Sequence, residues 1–397
     1  MKVALGVLLA VSLLGAAALS QEGPGSGSSV NRLAVELLKR SMQAPENSVC
    51  SPYSVGSALA LTCAAAAGPT QDQLAQAITL PPAQVLPQYG ELRTSLEALP
   101  GPGVEWAGAN RVWAGRPFEQ PFVAAVKRSL GAEPAQVDFT RADTARRTIN
   151  EWVSGQTQKQ IPELLQGGDI SRETEIVLTN ALFFKGAWST PFDPGRTRPA
   201  PFRRENGQGP VQVPMMHREG YLLSNVNPGN VGAPDFGMDV VEIPYRGGRA
   251  VLDVILPRPG TTLAQLVPTL TADKLEGAVG ALEEGNVKLS LPRFSLKYRV
   301  DLRPVVEQLA GPLPFSSRCD LSAALGPAGR GVPLAKVIHA ARLDTDEVGS
   351  TAAAATAVTG LRSGPEPFLA DRHFLVLLRD RQTGTILFLG RVEDPSQ

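Results

Sequence analysis

The stretch DRHFLVLLRDRQTGTILFLGRV, residues Asp371–Val392, contains two apolar runs joined by the turn sequence RQTG. Each run is continuously apolar and does not alternate with polar residues. Continuous apolar runs of this length are typical of strands that are covered on both faces. A short connection that ends in glycine predicts an antiparallel hairpin. We therefore expect a buried hairpin near the C-terminus, with other parts of the fold packed on both of its faces.

Upstream of this hairpin, helical patterns come first and strand patterns follow. Predicted helices lie within 29–42, 51–68, 70–78, 86–99 and 144–165. Predicted strands cover 103–115, 174–188, 250–257, 286–296, 367–380 and 384–392. No linker or internal repeat divides the mature chain. The sequence therefore predicts one α+β domain, residues 30–397, built on a large β-sheet.

The composition is that of a globular protein with a sizeable core. The chain has 397 residues, of which 43% are hydrophobic and 19% are charged. Lys and Arg together number 38, as do Asp and Glu. This balance gives no indication of a nucleic-acid partner or of an anionic membrane surface.

The N-terminus has the pattern of a signal peptide. Lys2 precedes the apolar run ALGVLLAVSLLGAAAL, and the small residues Ala18 and Ser20 have the spacing that a signal peptidase prefers. We expect a signal peptide over residues 1–20, a mature chain that begins at Gln21, and a flexible tail over 21–29. A membrane anchor is the alternative, but the run is short for a span. The expected localisation is secreted and extracellular.

Cysteine and histidine are scarce. The odd count of Cys50, Cys63 and Cys319 leaves at least one thiol unpaired or available to another molecule. If 51–68 is helical, about 20 Å of helix separates Cys50 from Cys63, too far for a disulfide. The three histidines have no ligand-like spacing, so neither a metal nor a cofactor is expected.

Sequence signatures of catalysis are missing. We find no Gly-x-Ser-x-Gly elbow, no phosphate-binding P-loop, no complete dinucleotide fingerprint and no His-Glu-x-x-His. Serine, histidine and aspartate are present, but nothing in the sequence brings them together. An enzyme is the least supported class.

The stretch EVGSTAAAATAVTGLRSG, residues Glu347–Gly364, combines two opposed properties. It carries no charge from Val348 to Leu361, as a buried strand would, and it ends in Arg-Ser-Gly-Pro, which is typical of an exposed loop. An alanine-rich run is by itself also a good helix former. The flanking residues favour a different interpretation, which depends on a family resemblance.

The chain resembles the serpins from about Asn31 to Pro395. The similarity is carried by a set of motifs in the family's order. These are NSVCSPYSVGSALALTCAAAAGPTQDQL from Asn47, NEWVSGQTQKQIPELL from Asn150, LTNALFFKGAWSTPFDP from Leu178, VPMMH from Val213, LPRFSL from Leu291, DLSAAL from Asp320, VIHAARLDTDEVGSTAAAATAV from Val337 and DRHFLVLLRDRQTGTILFLGRVEDP from Asp371. The resemblance implies a large central sheet, further sheets, surrounding helices and an exposed reactive-centre loop at about 347–367.

The resemblance also implies a mechanism, in which a protease cuts the exposed loop and the segment before the cut inserts into the main sheet as a new strand. Gly349 would let the backbone turn. On insertion Ser350, Ala352, Ala354, Thr356 and Val358 would face inward, and Thr351, Ala353, Ala355 and Ala357 outward. Every inward residue is small and uncharged. Thr351 replaces the glutamate that is more usual in the family. The predicted hinge comprises Glu347, Gly349, Ser350, Thr351, Ala352, Ala353, Ala354 and Ala355.

Two further groups of residues match the family residue by residue. Ser51, Ser54, Asn180 and His339 match a polar cluster beneath the parting strands, which we call the shutter cluster. Trp188, Arg293 and Glu347 match the point of first insertion, which we call the breach, and Arg293 and Glu347 would form an ion pair there. The plain alternatives are a core histidine with satisfied hydrogen bonds at 339 and a core aromatic at 188.

The identity of the cleaved bond is left open by two criteria. A trypsin-like protease would cut between Arg362 and Ser363, because its buried aspartate pairs with arginine. Counting seventeen residues from Glu347, as in many serpins, places Ser363 before the cut. Some members have a loop one residue shorter with arginine before the cut, and this favours Arg362 over Ser363 or Leu361.

The function predicted from the resemblance is that of a secreted suicide-substrate inhibitor, not an enzyme. Its partner would be a trypsin-like serine protease held in a covalent complex, and the inhibitor is expected to be a monomer. The alternative is a non-inhibitory serpin that acts as an extracellular binding or carrier protein. Strong glycosaminoglycan binding is not supported, because the helix that is basic in heparin-binding members has Arg93 as its only cation within 86–99.

Overall fold

The computed structural model describes residues 26–42, 46–204, 209–226, 235–349 and 364–397. Its helices are α1 Ser26–Ser41, α2 Pro52–Ala65, α3 Gly68–Ala77, α4 Pro82–Leu96, α5 Gln120–Leu130, α6 Ala142–Gln156, α7 Leu263–Leu266, α8 Ala272–Gly280, α9 Arg303–Ala310 and α10 Ser322–Leu325. Its strands are β1 Ser48–Cys50, β2 Val104–Ala114, β3 Ala135–Gln136, β4 Ile176–Gly186, β5 Arg198–Phe202, β6 Val211–Ser224, β7 Met238–Pro244, β8 Ala250–Pro257, β9 Glu283–Pro292, β10 Phe294–Asp301, β11 Lys336–Thr345, β12 Glu366–Leu369, β13 Phe374–Asp380 and β14 Ile386–Val392.

The C-terminal hairpin has the predicted form. Strands β13 and β14 pair antiparallel, from Phe374 opposite Val392 to Arg379 opposite Ile386. Every residue of both strands is buried. They belong to a nine-stranded sheet whose order is β1-β14-β13-β8-β7-β6-β9-β12, with β5 paired to β6. The continuous apolar pattern therefore identified strands that are covered on both faces.

A second sheet has five strands in the order β10-β11-β4-β2-β3. Two of its inner strands, β4 and β11, run parallel, and their pairing ends at Phe183 and Arg342. Each strand continues three residues further, to Gly186 and to Thr345. Over those residues β4 stays paired with β2, and β11 stays paired with β10. The sheet is thus parted at one end, between two strands that each keep their other neighbour.

Two predicted strands are divided in the structure. Residues 286–296 form the end of β9 and the start of β10, which belong to different sheets. The division follows Pro292, since proline has no N–H to continue a ladder, and Arg293 donates its backbone N–H to the Pro214 carbonyl. Residues 367–380 likewise divide into β12 and β13, and β12 pairs with β9 at the far edge of the sheet. Apolar content predicted these strands but not the sheet that each would join.

Two helix predictions need correction. The helical pattern of 144–165 stops at Gln156, and Gln158 and Lys159 adopt positive φ angles of 51° and 63°. The chain beyond forms turns that the Asn150 side chain holds, because its Oδ1 accepts from the backbone N–H groups of Leu164 and Leu165. At the N-terminus, residues 26–29 belong to α1 and not to a tail. Ser29 is fully buried and donates its hydroxyl to the Ile78 carbonyl.

Helix α2 packs between the two sheets and contacts strands of both. Ser51 caps its N-terminus by accepting from Ser54 N–H, and most of its residues are buried. The thiols Cys50, Cys63 and Cys319 are free and buried. Within the described ranges, no helix is long and apolar enough to cross a membrane.

Candidate functional site

The breach lies where β4 and β11 part. Directly after β11, residues Asp346–Gly349 form a turn whose carbonyl groups accept hydrogen bonds from the chain beyond β4. Trp188 N–H donates to the Val348 carbonyl at 3.0 Å, and Phe192 N–H donates to the Glu347 carbonyl at 2.7 Å. The turn is therefore bonded through its backbone to the segment that follows the opposite strand.

Gly349 is required by this turn for two reasons. Its φ is +101°, in the region that residues with a side chain rarely adopt. A Cβ atom added there would lie 2.3 Å from the Gly186 carbonyl oxygen and 2.5 Å from Trp188 N. The last described residue before position 350 is thus a glycine that lies against the end of β4, within the predicted hinge.

Glu347 forms the predicted ion pair with Arg293. Arg293 Nε lies 2.6 Å from Glu347 Oε2, and Arg293 Nη2 lies 2.5 Å from Oε1. The carboxylate side chain is 5% exposed, whereas the guanidinium side chain is 47% exposed. Burial alone would raise the pKa of Glu347, but hydrogen bonds from Arg293 and Thr197 outweigh it and lower that pKa. The turn thus carries a buried, ionised carboxylate with a partner at the surface.

Trp188 packs beneath the turn. Its side chain is fully buried, its ring stacks on Tyr245 with the centroids 4.4 Å apart, and its Nε1–H donates to the Asp346 carbonyl at 2.9 Å. Trp188 is therefore both a core aromatic, as the plain alternative had it, and a direct partner of the turn.

The shutter cluster lies lower along the same two strands. His339 on β11 and Asn180 on β4 occupy paired positions, and Ser51 and Ser54 come from the start of α2. Ser51 N–H donates to His339 Nε2 at 3.0 Å, so His339 donates through Nδ1 to Asn180 Oδ1. Asn180 Nδ2 donates to Ser54 Oγ at 2.7 Å. The four residues form one hydrogen-bonded group.

His339 is neutral in this group. Burial lowers its pKa to about 3, because the fully buried ring cannot bear a charge without water or a carboxylate beside it. The tautomer with the proton on Nδ1 satisfies both neighbours. The site therefore holds two strands and a helix together with uncharged hydrogen bonds that are made within the protein.

Asn110 belongs to the shutter cluster and was missed in the sequence. It lies on β2, opposite Asn180 in the ladder, and its Oδ1 accepts from Asn180 Nδ2 at 2.6 Å and from Ser54 Oγ at 3.0 Å. An amide inside the predicted strand 103–115 was a signal, since buried polar groups need partners. Its partner on the neighbouring strand could be identified only from the register.

The rest of the predicted site lies outside the described residues. This holds for the hinge residues Ser350, Thr351, Ala352, Ala353, Ala354 and Ala355, and for Arg362 and Ser363 at the predicted reactive bond. The structure resumes at Gly364 and enters β12 at Glu366. The described parts of the site are thus the breach, where β4 and β11 part, and the shutter cluster, where the same two strands are still paired.

A turn bonded at the parted end of β4 and β11, above a buried polar cluster on the same strands, is the arrangement that the resemblance to the serpins implied. Comparisons with known proteins agree. Residues 28–395 match the family model described as serpin (serine protease inhibitor). The chain belongs to the serpin family, whose inhibitory members form covalent complexes with their target proteases, and it is a homologue of protease inhibitors and not of enzymes.

Individual relatives and structures support this assignment. The chain is 33% identical to the leukocyte elastase inhibitor of Bos taurus, a match that covers 88% of this chain and 93% of the relative. It is 34% identical to Serpin B9 of Homo sapiens, covering 91% and 97% respectively. Its fold is similar to that of human thyroxine-binding globulin in complex with thyroxine, with a TM-score of 0.82, 27% identity and coverage of 93% and 98%.

Proposed function

We propose that this chain is a secreted suicide-substrate inhibitor of a trypsin-like serine protease. The observation that carries the proposal is the parted end of β4 and β11, with Gly349 pressed against the end of β4. The segment after Gly349 starts at the place where a new strand would enter. The small, uncharged residues that follow suit a strand interior.

The chemistry belongs to the protease and is interrupted by the inhibitor. The protease serine oxygen attacks the carbonyl carbon of Arg362, and the bond from that carbon to Ser363 nitrogen breaks. The serine proton passes through the protease histidine to the leaving amine, and an ester joins the serine to Arg362. Insertion of the loop then moves the ester away from the groups that activate water, before hydrolysis completes.

Arg362 supports the trypsin-like specificity. A guanidinium forms charge-assisted hydrogen bonds with the aspartate at the base of a trypsin-like pocket, and neither Leu361 nor Ser363 can do so. The competing count from Glu347, which places Ser363 before the cut, would predict a different target class. Identification of the cleaved bond decides between them.

The direct test is incubation with trypsin followed by denaturing gel electrophoresis and sequencing of the released peptide. We expect an SDS-stable complex and a peptide that begins at Ser363. Arg362→Ala should abolish complex formation with trypsin and leave the thermal unfolding midpoint unchanged. A released peptide that begins at Gly364 would contradict the assignment of Arg362.

Ser350→Arg separates cleavage from trapping. A charged side chain at the first inward position would have to be buried in the sheet, at a cost of several kcal/mol without a partner. This variant should be cut at the same bond as the parent chain and should release active trypsin. Thr351→Arg, at an outward position, is the matched control and should still inhibit. Equal inhibition by both variants would exclude insertion as the trapping step.

A carrier function is the second candidate, since the human globulin with the similar fold is described in complex with thyroxine. The two candidates differ in the response to cleavage. An inhibitor whose loop inserts should gain thermal stability when the loop alone is cut, whereas a nick normally loosens a fold. An unfolding midpoint that stays level or falls after cleavage near Arg362 would favour the carrier.

Secretion is supported by Lys2 and the apolar run that follows it. Expression in cells with a secretory pathway should place the protein in the medium with Gln21 as its first residue. Retention of the protein in the cytosol with Met1 or Lys2 at its N-terminus would contradict secretion.

A further inference from the structure

The described residues on either side of the predicted reactive loop lie at two edges of one exposed surface of the nine-stranded sheet. At one edge, directly before β5, Thr197 donates its hydroxyl to Glu347 Oε1 at 2.5 Å. At the other edge, Glu366 of β12 lies opposite Val287 of β9. Strand β6 pairs with β5 on one side and with β9 on the other. The surface of β6 and β9 therefore lies between the two ends of the loop.

Positively charged side chains collect on this surface around His217. His217 lies on β6, and its Nδ1 is 2.8 Å from Ser290 Oγ on β9. Burial lowers the pKa of His217, and the positive charges of Arg196, Lys288 and Arg198 lower it further. The imidazole thus lies in a region of positive potential. We call Arg196, Arg198, His217 and Lys288 the basic face.

The charges of the basic face are not neutralised within the described structure. Arg196, Arg198 and Lys288 are exposed, and none of the ion pairs among the described residues involves them. Glu219 lies opposite Lys288 in the ladder between β6 and β9, but the two side chains form no ion pair there. The basic face therefore presents its positive charge to solvent or to a partner.

Arg218 adds a positive charge from the buried side of β6. It is 8% exposed, its Nη1 donates to the Thr190 carbonyl at 2.9 Å, and its Nε has no acceptor among the described residues. Burial lowers its pKa to about 10, so the guanidinium is still charged at neutral pH. The carboxylate of Glu347 at the neighbouring breach is already paired with Arg293. The charge of Arg218 therefore reinforces the potential of the basic face.

The same surface carries both of the large apolar side chains that are exposed among the described residues. These are Tyr221, which is 47% exposed, and Leu369, which is 45% exposed. Leu369 lies opposite Ser290 and Ser290 lies opposite His217, so the three share one face of the sheet. Tyr221 follows His217 by four residues on β6 and points to that face too. Exposed aromatic and apolar side chains beside charges are typical of protein–protein interfaces.

A protease bound at Arg362 would reach this surface. Arg362 precedes Glu366, the first residue of β12, by four residues, and Lys288 lies opposite Pro367. Four residues of extended chain span at most about 14 Å. A folded domain of about 200 residues has a radius of gyration of about 16 Å. Residues 350–363 carry Arg362 as their one charge, so the loop itself offers no acid to the basic face.

We propose that the basic face selects, among trypsin-like proteases, those whose surface beside the active-site cleft is acidic. This selection rests on the proposed function, since it concerns proteases that attack the reactive loop. Arg362 fills the specificity pocket, and the basic face sets how fast the protease arrives. Complementary charges raise the rate of encounter by about 10–10³-fold, and added salt removes that gain.

The test compares the anionic and cationic isoforms of trypsin, which share the preference for arginine and differ in surface charge. At low ionic strength, the second-order rate constant of complex formation should be about tenfold or more higher for the anionic isoform. The difference should shrink to within about a factor of two in about 1 M salt, where the screening length is about 3 Å. Rate constants that are equal at low salt and respond equally to salt would overturn the proposal.

The double variant Arg198→Glu/Lys288→Glu reverses two charges of the basic face and should abolish the preference for the anionic isoform. Arg147→Glu/Arg172→Glu is the control, because it makes the same change in net charge at exposed positions on α6 and before β4. These positions belong to the region of the five-stranded sheet. The control should keep the preference, and thermal melts establish that all variants are folded. Equal losses in the two double variants would reduce the effect to net charge and overturn the role of the basic face.

Trypsins whose catalytic serine is replaced by alanine separate this selection from the proposed function, because their binding at equilibrium needs neither cleavage nor insertion. At low salt the anionic form should bind the parent chain more tightly than the cationic form, and Arg198→Glu/Lys288→Glu should remove that difference. If the active trypsins formed no complex while this difference in binding persisted, only the proposed function would be contradicted. Equal binding of the anionic form by the parent chain and the double variant would overturn the selection by charge.

Discussion

The breach and the shutter cluster hold the same two strands together by different physical means. At the breach, a buried carboxylate pairs with the half-exposed Arg293, and a turn is bonded through its backbone to the chain after β4. At the shutter cluster, His339, Asn180 and Ser54 are buried and uncharged, and all their partners lie within the protein.

This difference indicates which end of the strand pair can open first. An ion pair with one partner in water is weakened by salt and is easily replaced by hydration. A buried neutral network leaves unsatisfied groups when it is broken, so it opens only if new partners arrive at the same time. The parted end already lies at the breach, which agrees with this order. Four experiments test this order of opening.

Trp188→Ala should have the largest effect. The ring is fully buried, and its loss removes both the stacking on Tyr245 and the hydrogen bond to the Asp346 carbonyl. Truncation of a buried tryptophan typically costs about 3–5 kcal/mol. Urea unfolding should show this loss, and Trp188→Phe should show a smaller one. A loss below about 1 kcal/mol would mean that the Trp188 side chain does not stabilise the breach.

The pH dependence of stability should come next, and it tests the shutter cluster. The folded pKa of His339, about 3, lies below the unfolded value of about 6.5. The unfolded state therefore takes up the proton first, and stability that is fully present above pH 6.5 is lost as the pH falls toward 3. Between pH 7 and pH 5 this loss of stability amounts to about 2 kcal/mol.

His339→Gln is the variant that isolates this contribution, since glutamine does not titrate. Urea unfolding of both proteins between pH 7 and pH 5 should show a steeper fall for the parent chain. Other groups titrate equally in both proteins and cancel in the difference. Parallel pH profiles would show that His339 is not held neutral by burial.

Asn110→Ala tests the member of the shutter cluster that the sequence did not reveal. Its removal takes an acceptor from both Asn180 Nδ2 and Ser54 Oγ. An unsatisfied buried donor costs about 1–3 kcal/mol, and we expect the lower half of that range, because Asn180 keeps an acceptor in Ser54. Asn286→Ala, at a partly exposed position on β9, is the control for the same substitution outside the cluster. Equal losses of stability in the two variants would exclude a specific role for Asn110.

Arg293→Gln should have the smallest effect on stability. Arg293 is half-exposed and screened by solvent, and Thr197 still donates to the buried Glu347 carboxylate, so a loss of at most about 1 kcal/mol is expected. The effect should shrink further in concentrated salt. Arg203→Gln, which removes a more exposed pair with Asp371, should cost still less. A loss from Arg293→Gln larger than that from Asn110→Ala would reverse the proposed order of opening.

The elements that depend on a local pattern could be predicted from the sequence. The continuous apolar runs of β13 and β14 predicted a hairpin covered on both faces, and the run of 174–188 predicted β4. Motifs such as NSVCSPYS and DTDEVGST identified the family, and with it the residues of the breach and the shutter cluster. These signals can be recognised without knowledge of the fold, because they consist of residues that are neighbours in the sequence.

Strand register and contacts between distant segments could not be predicted from the sequence and required the folded structure. The partnership of Asn110 with Asn180 requires β2 and β4 to pair in one register. The division of 286–296 between two sheets requires knowledge of both sheets. The contact between the Arg111 guanidinium and the Trp152 ring requires α6 to lie over β2. A strand pattern of period two states which residues share a face, but it does not state which strand lies beside them.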